Sequence, residues 1–430
     1  MNNMDMDNPG SGMYELISSL YPYCRSITGN GVRNTLETIS SIIPLEIHEV
    51  PSGTKVFDWE IPKEWNINDA FIKDAKGNKI LDFNELNLHV LNYSTPVNKQ
   101  VTLNELKKHL YTLPEQPDLV PYKTSYYQEN WGFCMTHNQY SKLKDEIYEV
   151  YIDASLADGS LTYGELLLKG ETDEEVLIST HICHPSLCND NLSGIVITVY
   201  LARLLSTRSL RYSYRFLFIP GTIGSITWLA LNEKTVKRIK HGLVLTLLGD
   251  NSDFTYKKSR KGDAEIDKAA EAFLTASGTS YTITDFVPYG YDERQYCSPG
   301  FDLPVGCFTR KPFGEFPEYH TSADNLTFVK PDKLRESFKA VSDILDILEE
   351  NGTYFNLNPK CEPQLGKRGL YDTIGGTNES KITQIAALWV LSYSDGSNSL
   401  LDIALKSDIQ FGIIRNAADA LLKCNLLRRK

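Results

Sequence analysis

Leu177-Ile-Ser-Thr-His181-Ile-Cys183-His184-Pro-Ser-Leu-Cys188-Asn189-Asp190-Asn191-Leu-Ser193-Gly194 runs into the apolar series Ile195-Val-Ile-Thr-Val-Tyr-Leu-Ala-Arg-Leu-Leu205. Val176 to Ser179 reads as a buried strand, and a helix begins near Ser193. Between them lies a loop dense in imidazole, thiol and carboxylate. In an open α/β sheet ligands bind beyond the carboxyl ends of the strands, so the polar residues of this loop are candidates for chemistry.

His181 and Asp190 bring a borderline nitrogen and a hard oxygen to one loop, and both suit zinc. Asp250 closes a second apolar run, His241-Gly-Leu-Val-Leu-Thr-Leu-Leu-Gly-Asp250, and His320 sits in Pro317-Glu-Tyr319-His320-Thr321-Ser-Ala-Asp324-Asn325. Alone, each is more often a cap or a hydrogen-bonded surface group. Their joint order points to a metal centre.

His181-x-Cys183, Asn189-Asp190-Asn191-x-Ser193-Gly194, the strand-terminal Asp250 and Tyr319-His320-Thr321-x-x-Asp324 resemble the motifs of the co-catalytic zinc aminopeptidases. The spacing and order match over roughly residues 130 to 350. The whole chain resembles a bacterial aminopeptidase-like family that adds a small inserted domain and a C-terminal winged helix. The resemblance implies a zinc cofactor, with Asp190 bridging two metals, His181 and Asp250 completing one site and His320 belonging to the other. Two departures stand out. The family's Glu-Glu pair after the next strand is absent from Phe216-Leu-Phe-Ile-Pro220-Gly221-Thr222-Ile223-Gly224-Ser225, and Cys183 stands where an aspartate orients the metal-bound histidine.

Glu318 is the expected replacement base, because residues two apart in an extended run face the same side and would aim it toward the metal beside His320. Arg294, in Asp292-Glu293-Arg294-Gln295, lies where the resemblance places a substrate loop and could grip a carboxylate; the alternative is a surface pairing with Asp292 or Glu293. Cys183, His184 and Cys188 could instead form an unrelated metal or redox cluster.

The chain has 430 residues, 41% apolar and 23% charged, with a net charge of −11. That composition fits a globular protein of two or three domains and disfavours nonspecific attachment to nucleic acid or anionic membrane. Its eight cysteines are scattered, with no Cys-x-x-Cys pair, and read as reduced thiols of a cytoplasmic protein. The N-terminus lacks the features of a signal peptide, and no run of about 18 apolar residues occurs.

Along the chain, the expected α/β domain comprises residues 13–51 and 131–355, a largely parallel sheet covered by helices. Residues 52–130 carry a hairpin signal at Phe71 to Leu81 and a capping box at Thr102-Leu-Asn-Glu105, and read as a small β-rich insert. The other possibility is an elaborated edge of the same sheet. Residues 351–378 read as a linker, and 378–430 give the three-helix pattern of a winged helix-turn-helix. Seven basic and five acidic side chains leave that segment at only +2, and its third helix exposes just Arg415 and Lys423. A packing or oligomerisation role is therefore favoured over DNA reading.

These features together predict a cytoplasmic zinc-dependent aminopeptidase-like hydrolase that acts on a peptide or aminoacyl small-molecule substrate, with a carboxylate taking a proton from water. The chain is expected to bind no membrane, and a homo-oligomer is possible. The missing Glu pair supports the alternative, a non-catalytic protein of the same fold with a binding or regulatory role.

Overall fold

A computed structural model describes residues 6–370 and 378–430. They divide into two compact units, Met1–Arg260 with Thr284–Phe338, and Lys261–Ile283 with Lys339–Lys430.

The strands that build the first unit are β1 (Glu46–Pro51), β2 (Glu64–Lys73), β3 (Lys79–Asp82), β4 (Val97–Thr102), β5 (Ile147–Ala157), β6 (Ser160–Leu168), β7 (Glu175–His181), β8 (Ser213–Ile219), β9 (Ile239–Leu245), β10 (Phe254–Lys257) and β11 (Val305–Thr309). Within this unit the large sheet runs β1-β6-β8-β7-β9-β11-β10. Its centre, β8-β7-β9-β11, is parallel, but the pairings β1-β6, β6-β8 and β11-β10 are antiparallel. The sheet is thus mixed, where the sequence suggested a largely parallel one. Every residue of β7 and β8 is buried, as strands covered on both faces require, whereas antiparallel edges tolerate water on one side.

After β7 the chain loops into helix α1 (Gly194–Leu205), and after β8 it turns into helix α2 (Ile223–Leu231). The Ser193-Gly194 pair has a packing cause. Ser193 Oγ donates to Asn189 O (2.7 Å) and accepts from the Leu248 amide (2.9 Å), while a Cβ on Gly194 would lie 2.5 Å from Leu245 O. Only glycine lets α1 approach the end of β9 so closely.

A second sheet, β3-β2-β5-β4, forms the inserted region. Its hairpin turns at Asp74–Gly77, with Gly77 at φ 84°, and Thr102 Oγ1 caps the following short helix by accepting from Glu105 N (3.3 Å). The longest pairing of this sheet joins β2 to β5, so the inserted sheet passes the chain to the large sheet at Asp158-Gly159, later than the return near Trp131 that the sequence suggested. The alternating burial of β5 fits a strand with one face in this small core.

In the second unit, helices Asn378–Tyr393, Leu400–Ser407 and Phe411–Lys423 accompany a three-stranded sheet in which Thr353–Asn356 lies between Asp395–Ser399 and Leu427–Arg429. Residues 353–356, expected in a linker, are therefore a strand. Residues 371–377 of that linker lie outside the described residues. Four basic side chains near the end of the chain are engaged within the unit. Arg415 pairs with Glu350 (2.9 Å), Arg429 donates to Asn351 O (3.1 Å), Lys430 donates to Gly396 O (2.9 Å) and Arg428 lies over the Phe355 ring.

Candidate metal centre

β7 delivers His181 to the sheet's carboxyl edge, and the loop that follows brings back His184 and Asp190. Asp324 fixes that loop. Its Oδ1 accepts the N–H groups of Cys188 (3.1 Å) and Asn189 (2.6 Å), and its Oδ2 accepts that of Asp190 (2.9 Å). Arg25, wholly buried, holds the other side by donating to the carbonyls of His184 (2.7 Å) and Pro185 (2.8 Å).

Three ligand atoms converge. His181 Nε2 lies 2.9 Å from Asp190 Oδ1 and 3.2 Å from His184 Nδ1, and His184 Nδ1 lies 3.3 Å from the same oxygen. Tetrahedral ligands held about 2.1 Å from a zinc ion are roughly 3.4 Å apart, so the triangle fits a cation. Asp190 Oδ2 faces His320 Nε2 at 2.9 Å, yet the two are misaligned for hydrogen bonding and each is buried without another partner. Such orphaned atoms are costly unless something else satisfies them. The donor set, imidazole and carboxylate, is one that zinc takes in catalytic sites.

Burial pushes His181 down to about 4 despite Asp190, so at neutral pH the ring is uncharged and can act as a ligand. Burial also lowers His320. For Asp190 burial opposes ionisation, but the surrounding imidazoles, His184 foremost, hold the carboxyl well below the usual range. The result is an anion facing three histidines.

Three of the expected site residues, Asp250, Glu318 and Cys183, are placed differently from the sequence reading. Asp250 does not join the cluster: its Oδ2 accepts from Asn189 Nδ2 (2.9 Å) and its Oδ1 from Ser252 N (2.6 Å). The apolar run that seemed to end at Asp250 contains a strand that ends at Leu245. Continuing the β7–β9 register from Ser179↔Val244 puts Thr246, buried with an unpartnered hydroxyl, opposite His181. Glu318 is not extended: its carbonyl accepts the Thr321 N–H (3.1 Å) and hydroxyl (2.8 Å) in a turn, so spacing from His320 does not aim it at the cluster. Cys183 does not orient His181, whose Nδ1 faces Asn191 Nδ2 (3.3 Å); Cys183 Sγ accepts from the Gly221 N–H (3.3 Å). Arg294 sits in the short helix Glu293–Tyr296 with a buried Nε that has no hydrogen-bond partner, while Glu293 pairs with Lys257.

His184, named in the sequence only as part of a rival thiol cluster, is the candidate ligand that sequence reasoning missed. Among the described residues the His181, His184 and Asp190 group contains neither Cys183 nor Cys188. The signal was present, a second imidazole three residues beyond a strand-end histidine. Two tyrosines complete the surround. Tyr122, from the inserted region, packs edge-on against His184 (5.2 Å) and His320 (4.9 Å), and its N–H donates to His320 O (2.7 Å). Tyr291 lies over the His181 ring (3.9 Å) with its hydroxyl 3.4 Å from His184 Nε2. Outside His320 opens a cleft of ≈ 260 Å³, walled by Gln116, Tyr122 and Lys123 on one side and Pro317 and Tyr319 on the other.

Residues 14–351 match the family model described as domain of unknown function (DUF4910), and residues 352–429 match one described as winged helix-turn-helix. A Clostridium acetobutylicum protein named for polysaccharide biosynthesis with an aminopeptidase-like domain is 56% identical over 419 residues, covering 97% of this chain and 96% of its own length. A crystal structure from Clostridium acetobutylicum, described as a peptidase, aligns with a TM-score of 0.93 at 54% identity, covering 99% of this chain and 98% of that one. The zinc aminopeptidase of Bacillus subtilis shares the fold at a TM-score of 0.58 and 14% identity, over 80% of this chain and 95% of its own.

Proposed function

Because the chain belongs to the DUF4910 family, which here joins an aminopeptidase-like fold to a winged helix, we propose that it is a zinc-dependent hydrolase of a peptide or related amide bond. The observation that carries this is the Asp190 carboxylate, whose two oxygens face His181 and His184 on one side and His320 on the other. His181, His184 and Asp190 would hold the ion, with His320 on the second oxygen. Zinc there would polarise a carbonyl and make water a better nucleophile at neutral pH. The chain's own residues do the rest. Asp324 and Arg25 fix the loop, Tyr291 steadies the His184 ring through its hydroxyl, and Tyr122 shields His184 and His320 from water.

The Clostridium relative's name suggests a substrate whose amide is attached to a sugar. We therefore expect an aminoacyl or acylamido compound to enter the cleft beside His320. The decisive experiment combines metal analysis of the purified protein with a screen of aminoacyl amides and N-acyl amino sugars. Tightly held zinc with turnover of one class is expected; a metal-free, inactive protein contradicts the proposal.

A non-catalytic reading draws on one specific observation: the loop after β8 holds no carboxylate of its own. It predicts zinc binding without turnover. The winged helix is assigned to packing or self-association because four of its basic groups, Arg415, Arg428, Arg429 and Lys430, are already engaged. Removing residues 378–430 is expected to change oligomeric state and leave hydrolysis per chain intact. The eight cysteines, all free thiols, support a cytoplasmic location.

A further inference from the structure

The cleft outside His320 is lined by two stretches, one within 113–123 from the inserted region and one within 314–321 from the loop that carries His320. They are stitched together. The Tyr122 N–H donates to His320 O (2.7 Å), and Pro121 pairs with Thr321 in an isolated bridge. Behind the first stretch Asn92 donates its N–H to Lys123 O (2.9 Å), while its buried side chain accepts from Ser26 Oγ (2.6 Å) and donates to Arg25 O (2.9 Å). Arg25 in turn grips the carbonyls of His184 and Pro185. The backbone of Lys123 is therefore tied to the metal loop, one residue on from the ring that packs against His184 and His320.

Only the side chain of Lys123 is left free. It is exposed and lines the cleft, and among the described residues its ammonium has no ion-pair or hydrogen-bond partner. Lys73, Lys79 and Lys333, by contrast, each pair with a carboxylate. No Asp or Glu is among the residues that line the cleft, and burial keeps His320 uncharged at neutral pH, with the Lys123 charge adding to that effect. Among the described lining residues Lys123 is thus the one formal charge. In a chain of net charge −11 it reverses the field locally, which favours an anion at this place over the rest of the surface. An ammonium group brought here would meet a like charge.

We propose that Lys123 is the specificity-determining residue of this cleft, and that the substrate is an amide bearing an anionic group, a carboxylate or a phosphate, which the Lys123 ammonium holds. The inference rests on the hydrolase reading above for the fate of the amide, whereas the charge preference belongs to the cleft itself. Lysine is a compact point charge on a flexible stem, so it takes either anion. The two sources are separated by experiment.

The test uses the full-length, zinc-supplemented protein and two matched pairs of probes: N-acetylglycine with N-acetylglycinamide, and N-acetylglucosamine 1-phosphate with N-acetylglucosamine. Titration calorimetry gives Kd for each with wild type, Lys123→Gln and Lys123→Arg. Wild type should bind the charged member of one pair about tenfold more tightly than the neutral one, and that pair identifies the anion. Lys123→Gln keeps most of the stem and removes the charge, so the ratio should fall to near one; Lys123→Arg should keep most of it. Raising NaCl from about 0.05 to about 0.5 M should shrink the wild-type ratio and leave that of Lys123→Gln where it is. For a probe that is turned over, the loss should appear in KM more than in kcat, because the anion is held alike in ground and transition states. A wild type that binds neither charged probe more tightly than its neutral partner, or a preference that survives in Lys123→Gln, overturns this assignment alone. Charged probes bound through Lys123 with no amide cleaved would sustain the assignment and overturn the hydrolase reading.

Discussion

The carboxyl ends of β7 and β8 are neighbours in one parallel sheet, and they are built differently. The β7 end supplies its own chemistry: His181, His184 and Asp190 come from ten consecutive residues, and their oxygen and nitrogen atoms meet within 3.3 Å. The β8 end, Pro220-Gly221-Thr222-Ile223, carries no titratable side chain and receives its carboxyl from Asp292, some seventy positions later in the chain. A sheet edge fixes where chemistry can happen, while the groups that perform it can be local or imported.

The largest effect expected is at the β7 end. Asp190→Asn removes the anion shared by three imidazoles, and zinc affinity should drop by more than the 10–100-fold typical of losing an outer partner of a ligand. Dialysis against a chelator followed by metal analysis measures it. Retained zinc would mean that the two strand ends contribute to the ion in a way the cluster does not show.

Between the ends, Gly221→Ala forces a Cβ to 2.1 Å from the Tyr291 hydroxyl oxygen. Overpacking of this kind costs about 1–3 kcal/mol, measurable by thermal unfolding, and should slow turnover by displacing Tyr291. An unchanged Tm and rate would show that the contact between the ends is dispensable. The smallest effect is expected at Glu318→Gln, with kcat/KM within about twofold of wild type, because the turn is held by the Glu318 carbonyl and not by its carboxylate. A loss of about 10²-fold or more would return the base to the loop beside His320.

The contrast also explains how much could be read from the sequence. His181, Asp190 and His320 were legible because each sits in a motif with fixed local spacing. Asp250 misled because apolar residues continue to Leu248, past the last residue of β9, and hydrophobicity alone cannot mark where a strand stops pairing. Glu318 misled because an extended run was assumed where Thr321 closes a turn. Arg25 and Tyr122 were not legible as site residues, since each reaches the site from a distant element and its role rests on burial and specific contacts. The fold was easier to read. The alternation of apolar strands with helices gave the central sheet, but the antiparallel edges and the late exchange between sheets at Asp158-Gly159 depend on pairings between strands far apart in sequence.

The central claim is that the cation is held by His181, His184 and Asp190, and that Asp250 only braces Asn189. Zinc content of His184→Ala and Asp250→Asn, purified in parallel with wild type, tests it most directly. His184→Ala should lose tightly held zinc while Asp250→Asn keeps it; zinc retained by His184→Ala and lost from Asp250→Asn would contradict the claim.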